Sequence, residues 1–169
     1  MKKYIWDIST QDSSLNFKVK YFRISNVLGC FMRFEGKIIT EESFKNPEIS
    51  ISIESGSIQT WNKIQDEKLR SFEYLNSEEF PYIKFSSTGG CYESSGGIWE
   101  LSGELVIKSI SKPITLVVSF TDIKENQKNP KALFYLFGKI NRKDFQFITS
   151  EDVDEDIYLN GVINLFRKN

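Results

Sequence analysis

The stretch GELVIKSISKPITLVVSF, residues 103–120, decides the fold. Leu105 and Ile107 share one face, and Ile114, Leu116, Val118 and Phe120 share one after a polar break. Period-two alternation puts successive side chains on opposite faces, so each run reads as a strand with one buried side. The break holds Ser109, Ser111, Lys112 and Pro113. It reads as a turn whose proline opens the next strand, where no ladder donor is needed. The apolar face of this hairpin must be covered either by other side chains or by a guest molecule, and alternation alone leaves both open.

The same period recurs on either side. SLNFKVKYF (14–22) turns Leu15, Phe17, Val19 and Tyr21 one way and its lysines the other. VLGCFMRFEGKII (27–39) carries Phe31 and Phe34, with Gly29 and Gly36 suggesting bends or a bulge. EISISIES (48–55) points Ile49, Ile51 and Ile53 inward, and PYIKFSST (81–88) does so with Ile83 and Phe85. GGCYESSGG (89–97) is turn chemistry, and ENQKNPK (125–131) is a loop. ALFYLFGKI (132–140) is apolar on both faces, which predicts a cover for its outer side: the helix or a second subunit. NRKDFQF (141–147) leads to SEDVDEDIYLNGVINLF (150–166), whose second half is the last strand. Between them NKIQDEKLRSFEYLN (62–76) breaks the period, with Leu69, Phe72 and Leu75 at helical spacing. Asn62 caps this helix, with Gln65 at the reciprocal position.

About eight strands and one helix make an all-β protein, and closure into a barrel removes its unpaired edges. A sandwich fits the same count. In the barrel the helix covers one end, with Leu69, Phe72 and Leu75 over the interior.

At 169 residues the chain reads as one domain, 1–169. A formal net charge of -1 leaves no electrostatic footprint of a nucleic-acid binder. No run approaches the ~18 apolar residues of a transmembrane helix. MKKYIWDIST starts with lysines as a signal peptide does, but Asp7 interrupts it, so the expected location is cytoplasmic. Export with a leader already removed is the alternative.

Cys30 and Cys91 stand in unrelated contexts without metal-ligand spacing, and read as free thiols. The chain has no histidine, which excludes Ser-His-Asp and Cys-His nucleophile pairs and any His-based metal site. Ser13 and Ser14 therefore have no imidazole base, and only carboxylate or lysine chemistry remains open. SEDVDEDIYL lacks the loop glycine and closing glutamate of a calcium-binding EF-hand and reads as a solvated acidic connection.

Five segments, in order, resemble the YceI-like family of polyisoprenoid-binding proteins, from Trp6 to about Phe166. WDISTQDSSLNFKVKY resembles its opening, and GCFMRFEGKI its Gly-x-Phe-x-x-Phe-x-Gly strand through Gly29, Phe31, Phe34 and Gly36. Asp66, Leu69, Arg70 and Ser71, followed by Pro81, Ile83 and Phe85, match its helix and the strand after it. The opening hairpin is similar to Gly-x-Leu-x-Ile-x-Gly-x-Thr-Lys-Pro, with Ser109 and Ser111 in place of Gly and Thr. GKINRKDF (138–145) matches Gly-x-Ile-x-Arg-x-Asp-Phe almost letter for letter. Asp12, Tyr21 and Lys68 stand where the family commonly carries histidine, so its imidazole roles do not transfer.

The resemblance implies an eight-stranded antiparallel, lipocalin-like barrel whose hydrophobic cavity takes a long isoprenoid tail; members are often dimers and many are exported. The expected function is binding of a polyisoprenoid or isoprenoid quinone as carrier, store or sensor, with no catalysis, cofactor or metal. Each buried methylene contributes ~0.8 kcal/mol, so a greasy tail needs no hydrogen bond to be held. The alternative is an interaction barrel whose interior is packed solid, since eight strands can enclose either filling.

The expected lining is Leu15, Phe17, Val19 and Tyr21, then Phe31, Phe34, Ile51 and Ile53. Leu69, Phe72, Ile83 and Phe85 follow, and Leu105, Ile107, Leu116 and Val118 complete it. Asp66 and Arg70 are the head-group candidates, with pinning of the helix as the other reading. Tyr21 could offer its hydroxyl to a ligand or to backbone. Arg142 and Asp144 read as stabilisers of a hairpin tip, and the expected partners are an apolar lipid and a second copy of the chain.

Overall fold

Alternation of the kind seen in residues 103–120 produces eleven strands and one helix in the computed structural model, which describes residues 2–21, 25–147 and 153–167. The side chains of 90–92, 94 and 95 lie outside that description, and with them Cys91. Phe22 and the start of the acidic connection, 150–152, are outside it as well.

In chain order the elements are β1 (Lys3–Ile8), β2 (Ser14–Tyr21), β3 (Ser25–Phe31), β4 (Phe34–Glu41), β5 (Lys45–Glu54) and β6 (Ile58–Gln59). Then come α1 (Lys63–Arg70), β7 (Tyr82–Ser95), β8 (Ile98–Ile107), β9 (Ile110–Lys124), β10 (Lys131–Asn141) and β11 (Val153–Phe166). Eight of them form a closed antiparallel ring in the order β1-β4-β5-β7-β8-β9-β10-β11, shut where Asp7 and Ile8 pair with Phe166 and Leu165. The fold is the expected all-β eight-stranded barrel with a single helix. Among the described residues no helix is long and apolar enough to cross a membrane.

The remaining strands continue ring strands past interruptions. β1 breaks at a 3-10 turn (Thr10–Asp12) before β2, β3 breaks at Met32–Arg33 before β4, and β5 breaks at a 3-10 turn (Ser55–Ser57) before β6. Hydrogen bonds tie neighbouring breaks together. Thr10 Oγ1 donates to the Phe34 carbonyl, and the Met32 and Arg33 amides donate to the Ser57 carbonyl and hydroxyl. The result is a crease across three adjacent strands, dividing that wall into two halves.

The run 27–39, a single strand by its sequence, is divided by the crease into β3 and β4. GGCYESSGG is another correction. Residues 89–95 extend β7, and only Gly96 and Gly97, both at positive φ, make the turn into β8. The β8–β9 turn is also tighter than the polar break implied. Lys108 (φ 53°) and Ser109 (φ 63°) alone form it, with Ile107 paired to Ile110. Both residues are left-handed, the requirement of the two-residue type I′ hairpin. Pro113 then lies inside β9 opposite Glu104. Counting alternately from the closing pair makes this a non-hydrogen-bonded pair. Pairing with β10 begins only at Val117, so the missing amide breaks no ladder.

The helix ends at Arg70, short of the expected 76. Ser71 terminates it: its amide and hydroxyl both turn back onto the Lys68 carbonyl, and its ψ of 170° is extended. Phe72 therefore leaves the helical face and stands 74% exposed, so it does not cover the interior as expected. Leu69 and Leu75 do face inward. The outer side of β10 is uncovered too, with Tyr135 and Phe137 exposed, so the helix does not lie over it.

Candidate ligand-binding cavity

Inward residues of the barrel divide into three levels. At the end nearest the β4–β5 connection, aromatic rings fill the interior. Trp6, Phe44, Phe120 and Phe134 form a chain with centroids 5.3, 4.9 and 5.3 Å apart. The indole Nε1 donates to Thr40 Oγ1 at 2.9 Å, satisfying the one polar atom the ring carries inward. Ser43 (φ 61°) and Phe44 (φ 54°) are both left-handed, a strained connection that turns the Phe44 ring into this cluster. This end is closed.

The waist is filled by a different device. Gly36, Gly103, Gly138 and Gly161 each leave space that a neighbour's large side chain takes, as Gly29 does for Phe17 on the wall beyond. A Cβ on Gly103 would collide with the Phe85 ring and stand 2.7 Å from the Ser86 carbonyl; one on Gly138 would stand 2.7 Å from Leu116 Cδ2. Pairing small with large across strands fills a narrow barrel without strain. Leu15, Phe34, Ile51, Phe85, Leu116 and Val118, all placed in the lining by the sequence reading, are buried here or in the closed half and do not line the hollow. Tyr21, 37% exposed at the end of β2, does not line it either.

Beyond the waist the barrel is hollow. About 200 Å³ lies open there, half-enclosed, with α1 and the turns after it bordering the mouth. Phe17, Val19, Phe31, Ile53, Leu69, Ile83, Leu105 and Ile107 are the expected residues that the fold does bring to this wall. Val27, Ile58, Leu75 and Ile140 join them, as do Ile157 and Leu159 from β11. The alternation of β11 contained the signal for the last two, because Gly161 and Ile163 continue their face. Among the described residues, Gln65, Tyr74 and Arg142 are the polar ones in the lining. Phe147 and Arg142 come from a 3-10 turn (Arg142–Phe145) and the residues after it, a segment whose period signals neither face.

Asp66 and Arg70, the head-group candidates, turn away from this wall. Asp66 is 4% exposed and its Oδ1 accepts from the Thr60 amide (2.8 Å) and hydroxyl (2.6 Å). Arg70 donates through Nε to the Gly56 carbonyl (2.8 Å) and through Nη2 to that of Ile58 (3.3 Å). Together they pin α1 to the segment 56–60, and neither lines the hollow. Burial, with the Asp66 charge second, pushes the Cys30 thiol up; its Sγ lies 3.6 Å from Met32 Sδ.

The rim holds more charge than the wall. Lys108 reaches the Gln146 carbonyl (3.0 Å) and sits 5.2 Å from the Phe147 ring centroid, and burial lowers its ammonium below the usual lysine range. Lys143 holds Glu155 at 2.5 Å, and that hydrogen bond lowers the Glu155 carboxyl.

This arrangement can hold an apolar chain. An apolar cavity of ~150 Å³ is enough for a benzene ring, while drug-sized ligands occupy ~300–1,000 Å³. The hollow therefore suits a short length of an apolar chain, with the remainder of that chain outside the mouth.

Known proteins share this architecture. Protein YceI of Salmonella newport (strain SL254) is 30% identical over 169 residues, covering 95% of this chain and 86% of that protein. The YCEI protein of Campylobacter jejuni superposes with a TM-score of 0.78 at 26% identity, covering 90% of this chain and 91% of that one. A polyisoprenoid binding domain from Saccharophagus degradans, implicated in plant cell wall breakdown, has a TM-score of 0.72 at 11% identity, covering 97% and 98%. The YceI-like domain model matches residues 6–165, the span over which the strands close into the barrel, and on that match the chain belongs to the YceI-like family.

Proposed function

We propose that the hollow half binds the tail of an apolar lipid, a polyisoprenoid or isoprenoid quinone, and that the protein acts as its carrier, store or sensor and not as an enzyme. The observation that carries this reading is a half-enclosed hollow of about 200 Å³ with an almost wholly aliphatic and aromatic wall. Such a wall gains ~0.8 kcal/mol for each methylene it takes from water, before ordering costs. The Saccharophagus degradans domain, which shares the fold and binds a polyisoprenoid, supports the choice of ligand class. The test is extraction of the natively purified protein with organic solvent, followed by mass spectrometry, with titration of prenyl alcohols of increasing length. Affinity should climb with each isoprene unit until the hollow is full and then level off. No co-purified lipid and no binding at any length would remove the proposal.

The packed-interior reading keeps one observation in its favour: the closed half and waist are solid. It holds for those levels and leaves the hollow unexplained.

A homodimer is proposed on the outer face of β9 and β10. Val117 pairs with Phe137, and both are exposed beside Tyr135. Light scattering of the protein and of Phe137→Asp should show a dimer converted to a monomer; a wild-type monomer at micromolar concentration ends this part of the proposal.

A further inference from the structure

Arg142 is the one charged residue in the wall of the hollow among the described residues. Its Nε donates to the Asp154 carbonyl at 3.2 Å, which fixes the plane of the guanidinium. Its own carbonyl accepts from the Phe147 amide (3.2 Å), so the turn folds tightly around it. Beyond that Nε bond the guanidinium makes no ion pair with any described residue. Among the described acids nearby in sequence, none forms an ion pair with Arg142: Glu155 is held by Lys143 and feels the Arg142 charge only as its weakest cause, Asp156 lies 3.9 Å from Lys139, Asp154 is half-buried and Asp144 is exposed. The other described arginines have partners: Arg33 pairs with Glu54, Arg70 with two carbonyls, and Arg167 lies over the Tyr4 and Trp6 rings.

Arg142 is half-buried, and a charge drawn partly out of water is costly unless a partner compensates it. The planar fork of the guanidinium matches the paired oxygens of a carboxylate or phosphate. Lys108, held on Gln146 of the same turn, adds a second positive charge at the rim.

We infer that the ligand is an amphiphile with an oxyanion at one end, a carboxylate or a phosphate, and that Arg142 holds that end while the hollow holds the tail. The inference rests on the lipid-binding reading and adds to it the charge of the head and the residue that recognises it. It makes Arg142 a specificity-determining residue, where the sequence alone reads it as a stabiliser of a turn.

The experiment compares ligands that share a tail and differ only in the head: geranylgeraniol with geranylgeranyl phosphate, and hexadecanol with palmitate. Each is titrated calorimetrically against the full chain and against Arg142→Gln. The wild type should bind each anionic ligand about tenfold tighter than its alcohol, as a charge-assisted bond gives. Arg142→Gln should erase that preference, bringing each anionic ligand to the affinity of its alcohol; a circular-dichroism melt of the variant reports that it is folded. Preference for phosphate alone or for palmitate alone assigns which oxyanion the site takes. Equal affinity of the wild type for acid and alcohol would overturn the inference and leave the lipid-binding reading standing. Binding of neither would remove that reading and the inference with it. A preference that survives in Arg142→Gln would also overturn the inference, because the head would then be held elsewhere.

Discussion

At one end of the barrel four aromatic rings stand within 5.3 Å of their neighbours; at the other, the same ring of strands surrounds about 200 Å³ of unfilled space. Both ends have inward apolar side chains, so hydrophobicity does not separate them. Two features do. The closed end receives a plug, Phe44, carried in on a left-handed connection, and the waist pairs glycines with large neighbours so that no room is left. The open end begins at the crease, beyond which β2, β3 and β6 form a separate section of wall, and its mouth is bordered by α1 instead of being plugged. A barrel can thus spend one half on stability and keep the other for a guest.

The strongest challenge to this division is truncation in the closed half. Phe134→Ala should cost about 3–5 kcal/mol in urea unfolding, because a fully buried ring is removed from a packed cluster. A loss below 1 kcal/mol would mean the closed half is not packed as described. Asp66→Asn should come next, at about 2 kcal/mol, by weakening a charge-assisted pair of bonds to Thr60 while lipid affinity stays unchanged. A collapse of lipid affinity at unchanged stability would return Asp66 to the site.

Filling the hollow should do the reverse. Val19→Trp should change stability by no more than about 1 kcal/mol, since space exists for the ring, and should abolish lipid uptake. Unfolding of this variant would show the hollow to be packed. At the rim of the same half, Ser109→Gly should raise stability by about 0.5 kcal/mol, as glycine adopts the left-handed turn without strain. A thermal melt that drops would mean the turn is not left-handed there.

The smallest effect concerns Lys108. Its ammonium is lowered in the folded state, so between that lowered value and the unfolded value near 10.5 the unfolded chain binds the additional proton. Stability should therefore rise with pH across that alkaline window, and Lys108→Met should flatten the rise in urea midpoints measured from pH 8 to 10.5. An unchanged slope would assign the rise to another group.

The alternating runs of β2, β5, β8 and β9, with the five ordered motifs, made the barrel legible, because a period of two fixes which face each side chain takes. That held for Leu15 as well as for Phe17, yet only Phe17 lines the hollow. Period does not encode height along the barrel, and height is what separates filler from lining. Phe72 shows another limit: its spacing from Leu69 is helical, but a serine hydroxyl ended the helix before it. Asp66 and Arg70 were visible as a charged pair, and only the position of the 56–60 segment decided that they face it and not a ligand. Arg142 was visible only as part of a motif.

What the residues determined by themselves was local: strand, face, turn chemistry, the absence of imidazole chemistry, and kinship through ordered motifs. The hollow was decided by tertiary structure alone, because empty space belongs to no residue. It is what remains when inward side chains from all eight strands, a crease and a plug at one end are summed in three dimensions.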